Sequence, residues 1–133
     1  MEEPWLSLCL LIGRSLLALV YLVSGIHKGI WHRKAVAEFQ EVGIPLVGIS
    51  VVGTVVIHIV ASLCLLLGIF VSEAAFALVV FTVLANLKVH DFWNMSGEER
   101  LNQSRISLAH FAIVGGLLLL AVSGPGRYVV TGW

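Results

Sequence analysis

The chain has 133 residues, of which 59% are hydrophobic and only 12% are charged, and its formal net charge is zero. A water-soluble domain is nearer half apolar and a quarter charged, so this composition excludes a disordered chain, a collagen and almost any water-soluble enzyme. The length allows at most one domain, and the lack of a basic excess argues against a nucleic-acid partner.

The apolar residues fall into four blocks, at 6–26, 46–71, 74–89 and 106–123. About 20 helical residues cross the hydrocarbon core of a bilayer, and the backbone there must satisfy its own hydrogen bonds. We therefore predict an all-α fold, a four-helix transmembrane bundle that occupies residues 1–133 as one domain. The first block lacks a basic leader and contains Arg14, so we expect a permanent span rather than a signal peptide.

The connections between the blocks carry most of the charge. Between the first two blocks, apolar residues recur at helical spacing from Trp31 to Val42 with charges between them, which predicts a short amphipathic helix in the membrane interface. Val71–Glu73 is expected to be a tight turn between the second and third blocks. The third connection, His90–Arg105, is polar.

Basic residues near the spans predict the orientation. The first and third connections share one side of the membrane and contain six Lys and Arg residues, whereas the opposite side contains only Arg127. This asymmetry places both termini outside and the third connection in the cytoplasm.

Each block contains one polar stripe at helical spacing. The stripes consist of Arg14, Tyr21, Gly25 and Lys28; Thr54, His58 and Ser62; Thr82, Asn86 and His90; and Gln103, Ser107 and His110. An ionisable group within a span costs at least about 2.5 kcal/mol at the bilayer centre, so the stripes should face inward and form a pocket. The candidate ligand-binding residues are Arg14, Tyr21, Lys28, His58, Asn86, His90 and His110.

We expect Arg14, His58 and His110 to share this pocket, with a neutral His58 accepting a hydrogen bond from the Arg14 guanidinium. Other interpretations remain open for single residues. Span Ser and Thr often bond back to their own helix, Asn86 can serve as interhelical glue, and the histidines can be core residues. No metal is expected, because no acidic side chain lies centrally in a span, and no catalytic residue is assigned.

The chain resembles the DoxX family of small four-helix membrane proteins from about Leu11 to Tyr128. The matching parts are Gly13-Arg14, Ser24-Gly25, Lys28, Phe39, Gly43-Ile44-Pro45, Leu66-Leu67-Gly68, His90-Asp91-Phe92-Trp93, Asn102, His110, Gly115–Leu119 and Gly124–Tyr128. The resemblance implies a bacterial cytoplasmic (inner) membrane protein. Family members often carry a glutamate in the second span where this chain has His58, so a role of that acid does not transfer unchanged.

The resemblance also implies a link to redox chemistry, because the family takes its name from a subunit of a thiosulfate:quinone oxidoreductase. The first hypothesis is therefore a redox-associated subunit that binds a quinone-like ligand and relies on a redox-enzyme partner. The second is a non-enzymatic assembly or scaffold subunit with lipid in the pocket. The third is a b-type haem protein with His58 and His110 as axial ligands. Whether the chain is an enzyme and whether it forms a homo-oligomer stay open.

Overall fold

The computed structural model describes residues 4–89, 96–126 and 128–129, and over these residues it contains helices and no strand. The helices are α1 (Pro4–Ile30), α2 (His32–Glu41), α3 (Val47–Leu67), α4 (Val71–Val89) and α5 (Gly97–Ser123). All except α2 are long and apolar enough to cross a membrane. The predicted all-α architecture, four spans with a short helix between the first two, is confirmed.

Helix α2 lies between the first two spans, as the spacing of its apolar residues predicts. Ala35 is buried, whereas the charged residues of the helix are exposed. The chain leaves the helix at Gly43, where φ is +75°, a conformation that favours glycine. The amphipathic segment therefore ends where the second span has to begin.

The turn between α3 and α4 lies earlier than the sequence suggests. Gly68, with φ of +80°, caps α3, and the amides of Gly68 and Ile69 both donate to the Cys64 carbonyl. Helix α4 already starts at Val71, so the expectation of a turn at Val71–Glu73 is wrong. The turn contains the apolar residues Ile69 and Phe70, so hydropathy alone does not distinguish it from the spans that flank it.

Helix α5 is longer than the apolar block from which it was predicted. It begins at Gly97, not near residue 106, and carries Glu98 and Glu99 in its first turn. Acidic side chains there interact favourably with the partial positive charge of a helix N-terminus. The polar part of this helix extends beyond the apolar length that hydropathy detects.

The well-packed core occupies the half of the bundle next to the α3–α4 turn, which we call the closed half. Helix α1 packs mainly on α3, and α4 mainly on α5. The core cluster consists of Ala18, Tyr21, Ala61, Leu65, Val71, Ala74, Ala75, Leu78, Leu117 and Leu120. Because these residues cluster towards one end of the helices, space remains between the helices in the other half.

Candidate functional site

A cavity of about 730 Å³ lies in the half of the bundle opposite the closed half, and we call it the central cavity. Its inner wall includes Tyr21, His58, Phe81 and Thr82. We call the end of the cavity nearest the connections its mouth. The mouth is lined by polar and apolar side chains: Ser24, Lys28, Glu38, Phe39, Ile44, Pro45 and Lys88. Lys28 lies seven positions after Tyr21 on α1, which corresponds to about 10 Å along the helix axis.

His58 is the most unusual residue of this wall. Its side chain is only 5% exposed, and neither ring nitrogen has a hydrogen-bond partner among the residues that the structure describes. The ring lies between two aromatic side chains, with centroid distances of 5.3 Å to Tyr21 and 4.8 Å to Phe81, both edge-on. Aromatic contacts hold the imidazole in place but leave its donor and its acceptor unused.

Tyr21 connects two spans at the level of His58. Its hydroxyl lies 2.6 Å from Thr82 Oγ1, and both side chains are buried. The bond joins α1 to α4 across the cavity wall. Thr82 therefore serves an interhelical contact and does not bond back to its own helix.

His110 and Asn86 form a second polar group where α4 meets α5. His110 lines the cavity, and its Nδ1 lies 3.2 Å from Asn86 Oδ1. Asn86 itself is 2% exposed and lies behind the wall, where its Nδ2 donates to Ser107 Oγ at 2.9 Å. Asn86 is therefore both interhelical glue, as one interpretation predicted, and a support for a cavity residue.

Charged groups meet at the mouth of the cavity. Lys28 Nζ donates to Ser24 Oγ at 2.7 Å, one turn earlier on the same helix. Lys88 and Glu38 also line the mouth, and both are exposed. The Lys and Glu side chains that line the cavity therefore lie at its mouth, and the inner wall carries the polar side chains of Tyr21, His58 and Thr82.

Arg14 faces the protein interior as predicted, with 2% of its surface exposed, but it does not line the central cavity. It belongs to the closed half. Its Nε donates to the Leu65 carbonyl and one terminal nitrogen to the Pro125 carbonyl, both at 2.8 Å, and the other terminal nitrogen donates to the Tyr128 carbonyl. The expectations that Arg14 shares a cavity with His58 and His110, and that it donates to His58, are wrong.

The reason is the backbone geometry around Arg14. Leu65 lies in the last turn of α3, where carbonyls lack a partner within the helix, and Pro125 and Tyr128 lie beyond the end of α5. Carbonyl groups at membrane depth need donors, and the guanidinium supplies several in a fixed fork. The Arg14 guanidinium therefore forms its hydrogen bonds with backbone carbonyls and not with groups of the central cavity.

The remaining residues of the predicted polar stripes include some that bond to their own helix and others that line the cavity. Thr54 and Ser62 bond back to carbonyls of their own helix, those of Ser50 and Ile59, at 2.8 and 2.9 Å. His90 lies outside the described residues. Of the seven candidates, the cavity brings together Tyr21, Lys28, His58 and His110, with Asn86 directly behind the wall.

Several cavity residues were not identified from the sequence, among them Phe39, Gly53 and Phe81. Phe39 belongs to the apolar face of α2 and to the residues that resemble the DoxX family, and neither feature predicts that it lines a cavity. Gly53 and Phe81 each immediately precede a residue of a polar stripe, Thr54 and Thr82, which is a signal that could have identified them. An apolar residue is not distinctive within an apolar span, so only the packing reveals its position.

The comparisons with known proteins agree with this architecture. The DoxX family model matches residues 9–91, which is more than half of the chain. The chain belongs to the DoxX family. It is also similar to "Inner membrane protein YphA" of Escherichia coli (strain K12), with 27% identity over 118 residues that cover 88% of this chain and 84% of the relative. No solved structure matches the chain significantly.

Family membership and the four spans show that this DoxX-family chain is an integral membrane protein. The predicted localisation in a bacterial cytoplasmic (inner) membrane is confirmed by the relative, which is an inner membrane protein.

Proposed function

We propose that this DoxX-family protein binds a quinone-like ligand in the central cavity, as an accessory protein to a redox enzyme. The observation that carries the proposal is His58, buried in the cavity wall with no hydrogen-bond partner for either ring nitrogen among the described residues. A buried polar group without a partner costs about 1–3 kcal/mol. A ligand that supplies an acceptor and a donor at this position removes that cost.

The shape and the lining of the cavity support a flat, largely apolar ligand. Its volume lies within the range of about 300–1,000 Å³ that is usual for small-molecule sites, and such sites combine apolar walls with a few polar groups. Val20, Ile57 and Leu84 line the cavity and are also exposed on the outer surface of the spans. In a membrane this surface faces lipid, so a ligand dissolved in the bilayer can reach the cavity.

The neutral polar groups suit a ligand with oxygen atoms on a ring. A neutral imidazole has one donor and one acceptor, and the Tyr21 and Thr82 hydroxyls lie beside it. Histidine can also take up or release the protons that accompany quinone reduction. The sequence contains no recognisable electron-carrier motif, so electrons would come from a partner enzyme.

The ligand is tested by mass spectrometry of small molecules extracted from the protein purified in lipid nanodiscs. Gly53 lines the cavity and a Cβ placed there meets no atom within 4 Å, so Gly53→Phe should fill the cavity without disturbing the fold. Gly115→Phe is the matched control, because Gly115 has equal space within helix α5 but does not line the cavity. We expect a quinone with the wild type and Gly115→Phe, and a loss of about tenfold or more with Gly53→Phe.

The other hypotheses give different results in the same samples. If the wild type and Gly115→Phe contain phospholipid but no quinone, and Gly53→Phe loses that phospholipid, the cavity binds lipid. This result would support the scaffold-subunit hypothesis. A Soret absorbance band would indicate haem between His58 and His110. Equal quinone content in all three proteins would show that the quinone is bound elsewhere.

His58 provides a second prediction. His58→Leu removes both ring nitrogens and should lower the retention of added decylubiquinone by about tenfold, because the ligand loses its polar partner. His58→Glu, which introduces the acid common in the family, should retain more ligand than His58→Leu. Equal retention by His58→Leu and the wild type would contradict the role of the ring nitrogens.

A further inference from the structure

Two lysines from different parts of the bundle line the mouth of the central cavity. Lys28 lies in the last turn of α1 and Lys88 in the last turn of α4. Helix α1 packs mainly on α3 and α4 mainly on α5, so the two side chains belong to separate helix pairs. The mouth therefore brings together ammonium groups from both pairs at the polar ends of the spans.

The acidic side chains around the mouth do not balance this positive charge. Among the described residues that line the cavity, Glu38 is the one acid, against the two lysines. Lys28 Nζ donates to the neutral Ser24 Oγ, and neither lysine forms an ion pair within the described part of the chain. Because an ammonium group has three donors, most of the donors at the mouth are available to an anion.

Apolar side chains lie deeper on the same helix faces as the lysines. On α1, Val20, Ser24 and Lys28 follow one another at four-residue spacing. On α4, Leu84 lies four residues before Lys88, and all five residues line the cavity. Val20 is 46% exposed and Leu84 63%, so the cavity opens here towards the surrounding lipid. A molecule in this opening meets apolar groups towards the middle of the bilayer and ammonium groups towards its surface.

We propose that Lys28 and Lys88 bind the phosphate group of an anionic phospholipid, whose acyl chains lie beside Val20 and Leu84 at the opening of the cavity. Phosphate oxygens accept hydrogen bonds from both ammonium groups, and basic pockets between spans suit headgroups with a net negative charge. The ammonium of a zwitterionic headgroup would be repelled by the lysines. This lipid site goes beyond the proposed function, because it needs no quinone at His58.

The lipid preference is measured on purified protein equilibrated in mixed micelles with equal amounts of phosphatidylglycerol and phosphatidylethanolamine that have identical acyl chains. The protein is isolated again, and its bound lipids are quantified by mass spectrometry. We expect a ratio of about ten in favour of phosphatidylglycerol for the wild type. The ratio should fall to about three in Lys28→Gln or Lys88→Gln, and to about one in the double variant.

Two controls separate the site from the overall charge of the protein. Lys34→Gln removes an exposed positive charge of α2 that does not line the cavity, so it should keep the wild-type ratio. The double variant Lys28→Arg and Lys88→Arg keeps both charges at the mouth and should also prefer phosphatidylglycerol.

Three results would overturn the proposal. A wild-type ratio near one would do so whether or not the variants fold. Equal falls in Lys34→Gln and Lys28→Gln would do so because overall charge would then explain the preference. Inorganic phosphate lacks acyl chains, so it should displace no more lipid than chloride does at the same ionic strength. Displacement of phosphatidylglycerol by phosphate alone would indicate a site for a free anion instead of a lipid.

Discussion

A buried arginine in a membrane span can donate hydrogen bonds to backbone carbonyls that lack a partner, instead of forming part of a ligand site. Arg14 donates to three carbonyls that no helical amide can reach, at the end of α3 and in the segment after α5. That segment also packs closely, because a Cβ at Gly68 would lie 2.6 Å from Val129 Cγ1. The charge of Arg14 thus joins the C-terminal segment to the rest of the closed half.

Substitution of Arg14 should therefore reduce stability and leave the cavity intact. We expect Arg14→Leu to lose about 3 kcal/mol or more of the free energy of unfolding, because three carbonyls lose their donor, and Arg14→Lys to lose less. Denaturation in mixed micelles measures the loss. Arg105→Leu, which removes an exposed positive charge, is the control, and equal stability of Arg14→Leu and Arg105→Leu would contradict this role.

At the scale of the helices, α1 and α3 pack tightly against each other at one glycine. A Cβ at Gly25 would lie 2.9 Å from Ile59 Cγ1 and 3.0 Å from His58 Cβ. Gly29, one turn later on the same helix, has only Val55 Cγ1 at 3.7 Å. The small residue at position 25 therefore allows the backbone of α1 to pack against α3 beside His58.

This contact yields a matched pair of substitutions. Gly25→Val should separate α1 from α3, lower stability by about 1–3 kcal/mol through overpacking, and displace His58 enough to reduce ligand retention. Gly29→Val should have little effect on either property. Thermal unfolding in nanodiscs and mass spectrometry of the bound ligand test both variants. Similar losses of stability and of ligand in the two variants would contradict a specific role of the Gly25 contact.

Over the whole molecule, the packed core and the central cavity occupy opposite halves of the bundle. The closed half contains the α3–α4 turn and Arg14, and the cavity lies towards the ends of the spans that contain most of the Lys and Arg residues. The orientation predicted from those basic residues would direct the mouth of the cavity to the cytoplasmic side of the membrane.

This orientation can be tested with a membrane-impermeant thiol reagent on intact cells, in a background without Cys9 and Cys64. We expect Ile69→Cys, in the α3–α4 turn, to react from outside, because the basic connections prefer the cytoplasm. Glu99→Cys, in the first turn of α5, should react only after the membrane is permeabilised. The reverse pattern would place both termini and the turn in the cytoplasm.

The sequence by itself determines the number of spans, the interfacial helix and the inward position of Arg14 and His58. Each follows from a local cost, because apolar length must match the bilayer and a polar side chain is unfavourable in lipid. The position of the α3–α4 turn cannot be predicted in this way, because Ile69 and Phe70 are as apolar as the spans that they join. Hydropathy measures the free energy of transferring a segment into lipid, and it does not show where a helix ends.

The tertiary structure decides which inward groups meet. Arg14 bonds carbonyls 51 and 111 residues away. The ring of His58, on a similar polar stripe, lies between two aromatic rings and has no hydrogen-bond partner among the described residues. The spacing within one helix shows the face on which a residue lies. The partner across the bundle depends on where the helices pack tightly and where they separate, which is a property of all the spans together.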